Sequence, residues 1–275
     1  MANAQDRFNE RYDDDKDTYE IILDHNQNGI FKGELIIENF TELQYVKVAG
    51  EPSCRGGLTK LIVRNCEELT RLDCSINSID KLIVTDCSKL EELDVSSQYR
   101  MVSNDLEVKT LSEINIGEIG HKIKKINVSD NKLRNADLLD LLGSDNPDLI
   151  EIKCSSNSSL SHINVKGFRK LKKLYCGGNQ LSKLDLTENS ELEELYIENN
   201  GICEDDLTFL SHLTKMKVLS LGNIRSTNLS FFNNFGGSLE PLKRMRRLER
   251  LIIIGINIDD SDRHLLPRNL KIIKE

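Results

Sequence analysis

The segment LYCGGNQLSKLDLTENSELEELYIENN, residues 174–200, contains one pattern twice. Leu174 begins an apolar-x-apolar pair, and Asn179 follows five positions later. The arrangement returns 21 residues on, with Leu195 and Asn200 in the same places. Alternate residues of an extended strand point to opposite sides, so each apolar pair faces a core while the residue between its members faces outward. An amide at one fixed point after each strand indicates a backbone that repeats the same turn.

The amide recurs at this offset in six places along the chain. An Asn side chain offers two hydrogen-bond donors and an acceptor, and Gln offers the same groups on a longer stem. These groups can pair with the backbone N–H and C=O groups that a buried turn would otherwise leave unpaired. We therefore predict a buried row of amides, one in each turn of a coiled chain. The row comprises Asn77, Gln98, Asn131, Asn157, Asn179 and Asn200.

A second apolar-x-apolar pair lies about halfway round many of these turns, so each turn is expected to carry an outer strand as well as an inner one. The outer pairs begin at Leu61, Leu82, Ile163 and Leu184. Some turns are longer than the rest. Their extra residues predict an insertion near Tyr99–Val108 and outer helices over Asn135–Leu142 and Glu204–Leu213.

The full pattern, L-x-x-L-x-L/C-x-x-N-x-L, resembles the leucine-rich repeat, and the resemblance runs roughly from Gly33 to Ile272. It implies an α/β solenoid, a right-handed coil or horseshoe with a parallel inner sheet, short outer strands and a few outer helices. We expect a repeat domain of about ten coils over residues 33–275. Residues 1–32 are expected to be a flexible N-terminus with a helical cap over Thr18–Asn26, because an end coil exposes its core unless it is covered.

The amide row changes at the C-terminal end, where Ile224 and Ile256 occupy the expected amide positions. Residues 235–260, FGGSLEPLKRMRRLERLIIIGINIDD, with LLPRNLKII at residues 265–273, resemble the closing repeats of an expanded group of fungal leucine-rich-repeat proteins. That group tends to carry a GSLxPL…LxxL…NTDID…LP-SL pattern, and here Ile256 replaces its small polar residue. Some members are joined to kinase-like regions, which implies that such repeats can be the targeting part of a larger protein.

Composition excludes several classes of function. The formal net charge is -8 and the pI is about 5.3, so a broad basic surface for nucleic acid is not expected. No apolar run approaches the ~20 residues of a membrane span. The five His residues fall at unrelated points of the repeat, and no metal-site, phosphate-loop or nucleophile motif occurs. We therefore expect a non-catalytic protein without a cofactor or metal, and a monomer.

The seven Cys residues are an odd number and form no CxxC pair. Cys74, Cys154 and Cys176 occupy the second apolar position of inner pairs, where Cys acts as a small hydrophobe. Cys66 and Cys87 each follow an outer pair by the same offset, so they form a minor row on the opposite side. Reduced, buried thiols in a cytoplasmic protein are the preferred interpretation, and a disulfide between neighbouring turns is the alternative. Secretion stays open, since a removed signal peptide would leave no trace.

The outward residues of the inner strands are where function is expected, because the fold leaves them free. Tyr175 and Tyr196 occupy the same place in neighbouring turns and should stand side by side. Interface centres are enriched in Tyr. We name the surrounding set the tyrosine surface and predict that it binds another protein on the concave inner sheet. It comprises Lys153, Ser155, Lys173, Tyr175, Glu194, Tyr196 and Glu198.

Three alternatives remain at this point. The tyrosines can be ordinary outward strand residues, since strands favour aromatics. The repeats can be the targeting or regulatory part of a signalling or effector protein. A carbohydrate or small ligand is a weaker alternative, because the chain has no Trp and aromatics are only 5% of it. Ile252 and Ile254 also point outward in the pattern, and either form an exposed aliphatic patch or are buried under another segment.

Overall fold

The computed structural model describes residues 3–23, 31–50, 57–103, 106–134, 146–157, 159–223 and 231–274, apart from the side chains of residues 101–103, 106, 107 and 118. The chain divides into two compact units. The first contains the described residues up to Leu133, and the second contains those from Arg134 onward. Both are coils of short parallel strands, and together their described residues make about nine turns.

The first unit begins with one α-helix and continues with eleven strands. They are α1 (Ala4–Tyr12), β1 (Glu20–Ile22), β2 (Gly33–Glu38), β3 (Tyr45–Lys47), β4 (Leu58–Arg64), β5 (Arg71–Asp73), β6 (Lys81–Thr85), β7 (Glu92–Asp94), β8 (Tyr99–Ser103), β9 (Leu106–Lys109), β10 (Glu113–Asn115) and β11 (Lys125–Asn127). A 3-10 turn, Gly117–Lys122, follows β10.

Strands of the first unit alternate between two parallel sheets. The inner sheet has the order β1-β3-β5-β7-β11, and the outer sheet has the order β10-β6-β4-β2. The register of the inner sheet places one apolar residue of each strand in a single buried column, Ile21, Val46, Leu72, Leu93 and Ile126. The outer strands predicted at Leu61 and Leu82 are confirmed, and the predicted insertion is the antiparallel hairpin of β8 and β9.

The N-terminal prediction is wrong in its described part. Glu20–Ile22 form β1 and pair with β3, so the inner sheet starts before residue 33 and the helix expected over Thr18–Asn26 is absent there. Ala4–Tyr12, expected to be flexible, form α1. Asn3 and Asp6 build a capping box at its start. Because Phe8 packs its buried ring edge-on against Phe40, the helix is anchored to the core.

Gln5 on α1 covers the free edge of the outer sheet. Its Oε1 accepts a hydrogen bond from Ile36 N at 2.7 Å, and its Nε2 donates to Ile36 O at 3.2 Å. One side-chain amide thus takes the place of a neighbouring strand beside β2. An uncovered strand edge invites pairing with other chains, so this contact closes the sheet.

The second unit has eight strands. They are β12 (Glu151–Lys153), β13 (Lys173–Tyr175), β14 (Glu194–Tyr196), β15 (Cys203–Glu204), β16 (Val218–Ser220), β17 (Asn234–Phe235), β18 (Arg250–Ile252) and β19 (Lys271–Ile273). The inner sheet has the order β12-β13-β14-β16-β18-β19, and every described pair is parallel. The outer side carries the pair β15 and β17 and the 3-10 turns Thr208–Leu210, Glu240–Leu242 and Ser261–Leu265.

The outer side of the second unit differs from the prediction. Residues 163–165 and 184–186 alternate between buried and exposed as expected, but they form no strand. The helix predicted over Glu204–Leu213 is wrong, because only Thr208–Leu210 form a 3-10 turn there. The helix predicted over Asn135–Leu142 lies outside the described residues.

The predicted amide row is confirmed, since all six side chains are at most 3% exposed. Asn179 is typical. Its Nδ2 donates to Cys154 O at 3.1 Å and Cys176 O at 2.8 Å, while its Oδ1 accepts from Asn157 N at 2.8 Å. The residue before each amide has φ between 53° and 68°, the left-handed conformation that turns the chain at this point. These residues are Ile76, Ser97, Asp130, Ser156, Gly178 and Asn199.

After Asn200, where Ile224 and Ile256 occupy the expected amide positions, an Asn outside the expected offset replaces the amide. Asn233 is buried and donates to Ile197 O at 2.7 Å and Leu221 O at 2.9 Å. Asn223 in turn accepts from Asn233 N and donates to Asn233 O, both at 2.8 Å. The backbone requirement therefore persists where the regular spacing ends.

Candidate functional site

The inner sheet of the second unit places the two predicted tyrosines together. Parallel pairing of β13 with β14 sets Lys173 opposite Glu194 and Tyr175 opposite Tyr196. The tyrosine rings are stacked, with centroids 4.8 Å apart and planes 16° apart. Both side chains are half-buried. Each ring already has one face against its neighbour, so the pair is a rigid aromatic platform on the outward face of the strands.

Glu194 holds this platform in place. Its Oε2 accepts a hydrogen bond from Tyr175 Oη at 2.5 Å, and its Oε1 lies 2.8 Å from Lys173 Nζ. Lys153 Nζ is 5.5 Å from the centroid of the Tyr175 ring and 2.9 Å from Glu151 Oε1. The platform therefore lies between two lysine–glutamate pairs, one of which fixes a tyrosine hydroxyl.

Burial and pairing change the acidity of these groups. Burial raises the pKa of Glu194, but hydrogen bonds from Lys173 and Tyr175 outweigh it and leave the pKa lowered. The hydrogen bond to Glu194 raises the pKa of Lys173. Burial, together with Glu194, raises the pKa of Tyr175, and burial raises that of Tyr196. At neutral pH the surface thus presents two neutral phenols and a charged Lys–Glu pair.

Glu198 lies two residues after the end of β14, and its carboxyl group packs against Gly177 of the neighbouring turn. A Cβ added to Gly177 would meet its Cδ and Oε1 at 2.7 Å, so the carboxyl group occupies the space that a side chain at Gly177 would fill. Within the described part of the chain, Glu198 Oε2 and Ser220 Oγ are both buried without a hydrogen-bond partner. Burial raises the pKa of Glu198, and the nearby Ser220 hydroxyl offsets this only in part.

The seven predicted residues of the tyrosine surface are not equally connected. Lys173, Tyr175, Glu194 and Tyr196 form one contact group, and Lys153 approaches it through the Tyr175 ring. Ser155 is half-buried just after β12, and its carbonyl accepts from Asn157 Nδ2 at 3.3 Å. Sequence reasoning did not select Glu151, Gly177 or Ser220. Their outward positions in the repeat were a signal, but their contacts depend on side-chain direction.

Ile252 is not part of an exposed patch, because it is 7% exposed, and Ile254 is half-buried. A Cβ on Gly222 would approach the backbone of Ile254 to 2.4 Å, so the chain after β18 closes tightly against the preceding turn. Exposed aromatic residues of this unit occur elsewhere, at Phe231 (39%) and Phe232 (59%).

No group of three or more His, Cys, Asp or Glu side chains among the described residues could hold a metal ion. Among the same residues, no helix is long and apolar enough to cross a membrane. The six described Cys residues are unbridged, and Cys203 is the exposed one among them.

No protein-family model and no curated protein matches this sequence. Solved structures do match. The functional domain of InlJ from Listeria monocytogenes, which includes a cysteine ladder, aligns with 92% of this chain and 55% of its own at 20% identity, with a TM-score of 0.60. A TDR receptor aligns with 93% of this chain and 49% of its own at 18% identity, with a TM-score of 0.52.

A third similar structure is the leucine-rich-repeat ectodomain of the plant membrane receptor kinase GASSHO1/SCHENGEN3 from Arabidopsis thaliana, in complex with CASPARIAN STRIP INTEGRITY FACTOR 2. It aligns with 88% of this chain and 33% of its own at 18% identity, with a TM-score of 0.50. The chain thus spans between a third and about half of the length of these structures. Together with the stacked parallel strands and the buried amide row, these likenesses show that the chain has the leucine-rich-repeat fold.

Proposed function

We propose that the chain is a non-catalytic scaffold that binds another protein through the tyrosine surface of its second unit. The observation that carries this proposal is the stacked pair of Tyr175 and Tyr196. The rings are held by Glu194 and Lys173, and their remaining area faces outward from the sheet. Rigid aromatic side chains lose little conformational entropy when a partner covers them, so such a platform suits the centre of an interface.

The dimensions and charges of the surface favour a protein partner. Six parallel strands about 4.8 Å apart give a face of roughly 24 Å across, which is the scale of a protein interface rather than of a small-ligand pocket. The charged residues around the rings are mixed in sign, so they suit a polar rim. The net charge of -8 does not favour nucleic acid.

A second candidate is the targeting or regulatory part of a larger signalling or effector protein. The observation that favours it is length, since the similar structures extend well beyond the region that this chain matches. One of them is the ectodomain of a receptor kinase. The resemblance of residues 235–273 to fungal repeats, some of them joined to kinase-like regions, supports the same candidate. Sequencing the complete gene distinguishes it from a free-standing scaffold.

We also propose that the chain is an intracellular monomer, coiled in the right-handed sense. The support for an intracellular location is the set of unbridged thiols, which reducing compartments preserve. Imaging a tagged full-length protein in its own cells tests the location. The mass measured by sedimentation equilibrium tests the oligomeric state.

Site-specific photo-crosslinking tests the binding surface. A benzophenone amino acid at position 196 should capture one defined protein from cells of the source organism. The matched control places the same group at Tyr45, a half-buried tyrosine on the inner sheet of the first unit. Capture of the same protein with equal yield at both positions would contradict the assignment to the tyrosine surface.

A further inference from the structure

Two cysteines on the outer side of the first unit stand in adjacent turns. Parallel pairing sets Leu61 opposite Leu82, and Cys66 and Cys87 each follow five residues later. The same backbone turn surrounds both, since the carbonyl of each accepts from the N–H three residues on, at 3.1 Å and 3.0 Å. Neighbouring strands lie about 4.8 Å apart, which is within the range of Cα separations that a disulfide spans.

The two thiols have equivalent backbone partners and interact with each other. Cys66 Sγ donates to Arg64 O at 3.4 Å, and Cys87 Sγ donates to Thr85 O at 3.3 Å, so both sulfurs are held in the same orientation. The interaction between the two thiols lowers the pKa of Cys66 and raises that of Cys87. The pair therefore loses a first proton more readily than it loses a second.

A cavity borders Cys87, although both cysteines are 0% exposed. It has a volume of about 410 Å³ and is lined by Cys87, by its neighbours Asp86 and Ser88, and by His121 and Lys122 of the following 3-10 turn. The cavity thus admits a small reagent beside Cys87, and exposing the buried sulfur requires movement of this turn only.

We propose that Cys66 and Cys87 form a reversible disulfide that links two adjacent turns, by exchange with a small-molecule disulfide. The thiolate of the pair attacks one sulfur of the reagent, whose S–S bond breaks, and the first small thiolate leaves with a proton. The second cysteine then gives up its proton and attacks the protein sulfur of the mixed disulfide, which releases the second small thiol. Two protein thiols are oxidised and one small disulfide is reduced to two thiols.

The second unit contains a matched pair in which neither thiol has a lowered pKa. Continuing the register of β12 and β13 places Cys154 opposite Cys176 on the inner side, so their backbone spacing is the same. Both are 0% exposed, and burial raises the pKa of Cys154 to about 12 and that of Cys176 well above its usual range. This pair has the spacing but no thiol with a lowered pKa, so it is expected to remain reduced.

Bis(2-hydroxyethyl) disulfide added to the folded, reduced protein tests the proposal. Trypsin releases Cys66 on residues 65–71, Cys87 on residues 82–89 and Cys74 on the peptide between them. Mass spectrometry without reduction should find residues 65–71 linked to residues 82–89, and dithiothreitol should reverse the link. Linkage of Cys154 to Cys176 should be at least about tenfold slower.

Single variants test whether the reagent reaches a cysteine whose partner has been removed. Cys66→Ala leaves Cys87 without its partner, and Cys87 should then carry one reagent-derived adduct while the chain remains folded by circular dichroism. In Cys154→Ala, Cys176 should carry none. The proposal is overturned if the link between residues 65–71 and residues 82–89 is absent or forms only in urea. It is also overturned if either cysteine links instead to Cys54, which lies outside the described residues, or if the Cys154 and Cys176 pair links equally fast.

Discussion

Replacement of Asn200 by Ala is the sharpest test of the buried amide row. Asn200 is fully buried, its Oδ1 accepts from Leu181 N at 3.0 Å, and its Nδ2 donates to Cys176 O and Ile197 O, both at 3.0 Å. The two carbonyls keep a second amide donor in the variant, at 2.8 Å from Asn179 and at 2.7 Å from Asn233. The main loss is therefore the acceptor of one buried N–H group, that of Leu181.

This loss sets how much the substitution should lower the free energy of unfolding. A buried donor left without its acceptor costs about 1–3 kcal/mol, so we expect Asn200→Ala to lower the free energy of unfolding by roughly 2 kcal/mol. Asn200→Asp should cost more than Ala, because it keeps the acceptor but turns a carboxylate toward the carbonyl oxygens of Cys176 and Ile197. Glu193→Ala is the control. It removes partly exposed pairings with Lys217 and Lys172, which are worth about 1 kcal/mol.

Urea unfolding followed by circular dichroism measures these differences. With a slope of ~3 kcal/mol per molar urea, Asn200→Ala should lower the midpoint by about 0.7 M. If the two units unfold in separate steps, only the step of the second unit should shift. A midpoint for Asn200→Ala no lower than that of Glu193→Ala would refute the reasoning that the amide satisfies the turn.

Two further predictions concern Glu198 and Gln5. Burial raises the pKa of Glu198 in the folded chain, so the folded state keeps a proton that the unfolded state releases, and stability falls as pH rises from about 4.3 through the folded pKa. Glu198→Gln should remove this pH-dependent loss of stability, so the variant should unfold at higher urea than the original chain at pH 8 and at nearly the same urea at pH 4. A difference between the two chains that is equal at both pH values would contradict the prediction. Gln5→Ala should accelerate hydrogen exchange at the Ile36 amide, which loses its 2.7 Å acceptor. It should lower the free energy of unfolding by about 1 kcal/mol, because the site is partly exposed. An unchanged exchange rate at Ile36 would show that Gln5 does not protect the strand edge.

The parts of the fold that could be predicted are those that the repeat enforces. Leu174 and Leu195 had to face the core and Asn179 and Asn200 had to satisfy a turn, so their positions followed from spacing alone. The same register brought Tyr175 beside Tyr196, because residues at equal repeat positions become neighbours in parallel strands.

The parts that could not be predicted depend on contacts outside the repeat. The buried side of helix α1 depends on the first turn that the helix covers. Spacing along the sequence does not reveal that contact. Asn233 replaces the missing amide from a longer segment at an irregular offset, so no fixed spacing pointed to it. The position of the Glu198 carboxyl depends on the absence of a side chain at Gly177 in the neighbouring turn, which is a packing relation between two strands.

The affinity of the captured partner for a double variant tests the central claim most directly. Tyr175→Ala with Tyr196→Ala removes the stacked platform, and the loss of two interface anchors should weaken binding by about 30-fold or more. Tyr45→Ala, on the inner sheet of the first unit, should leave the dissociation constant unchanged within about twofold. Equal affinities of the double variant and the original chain, with both folded, would show that the partner binds elsewhere.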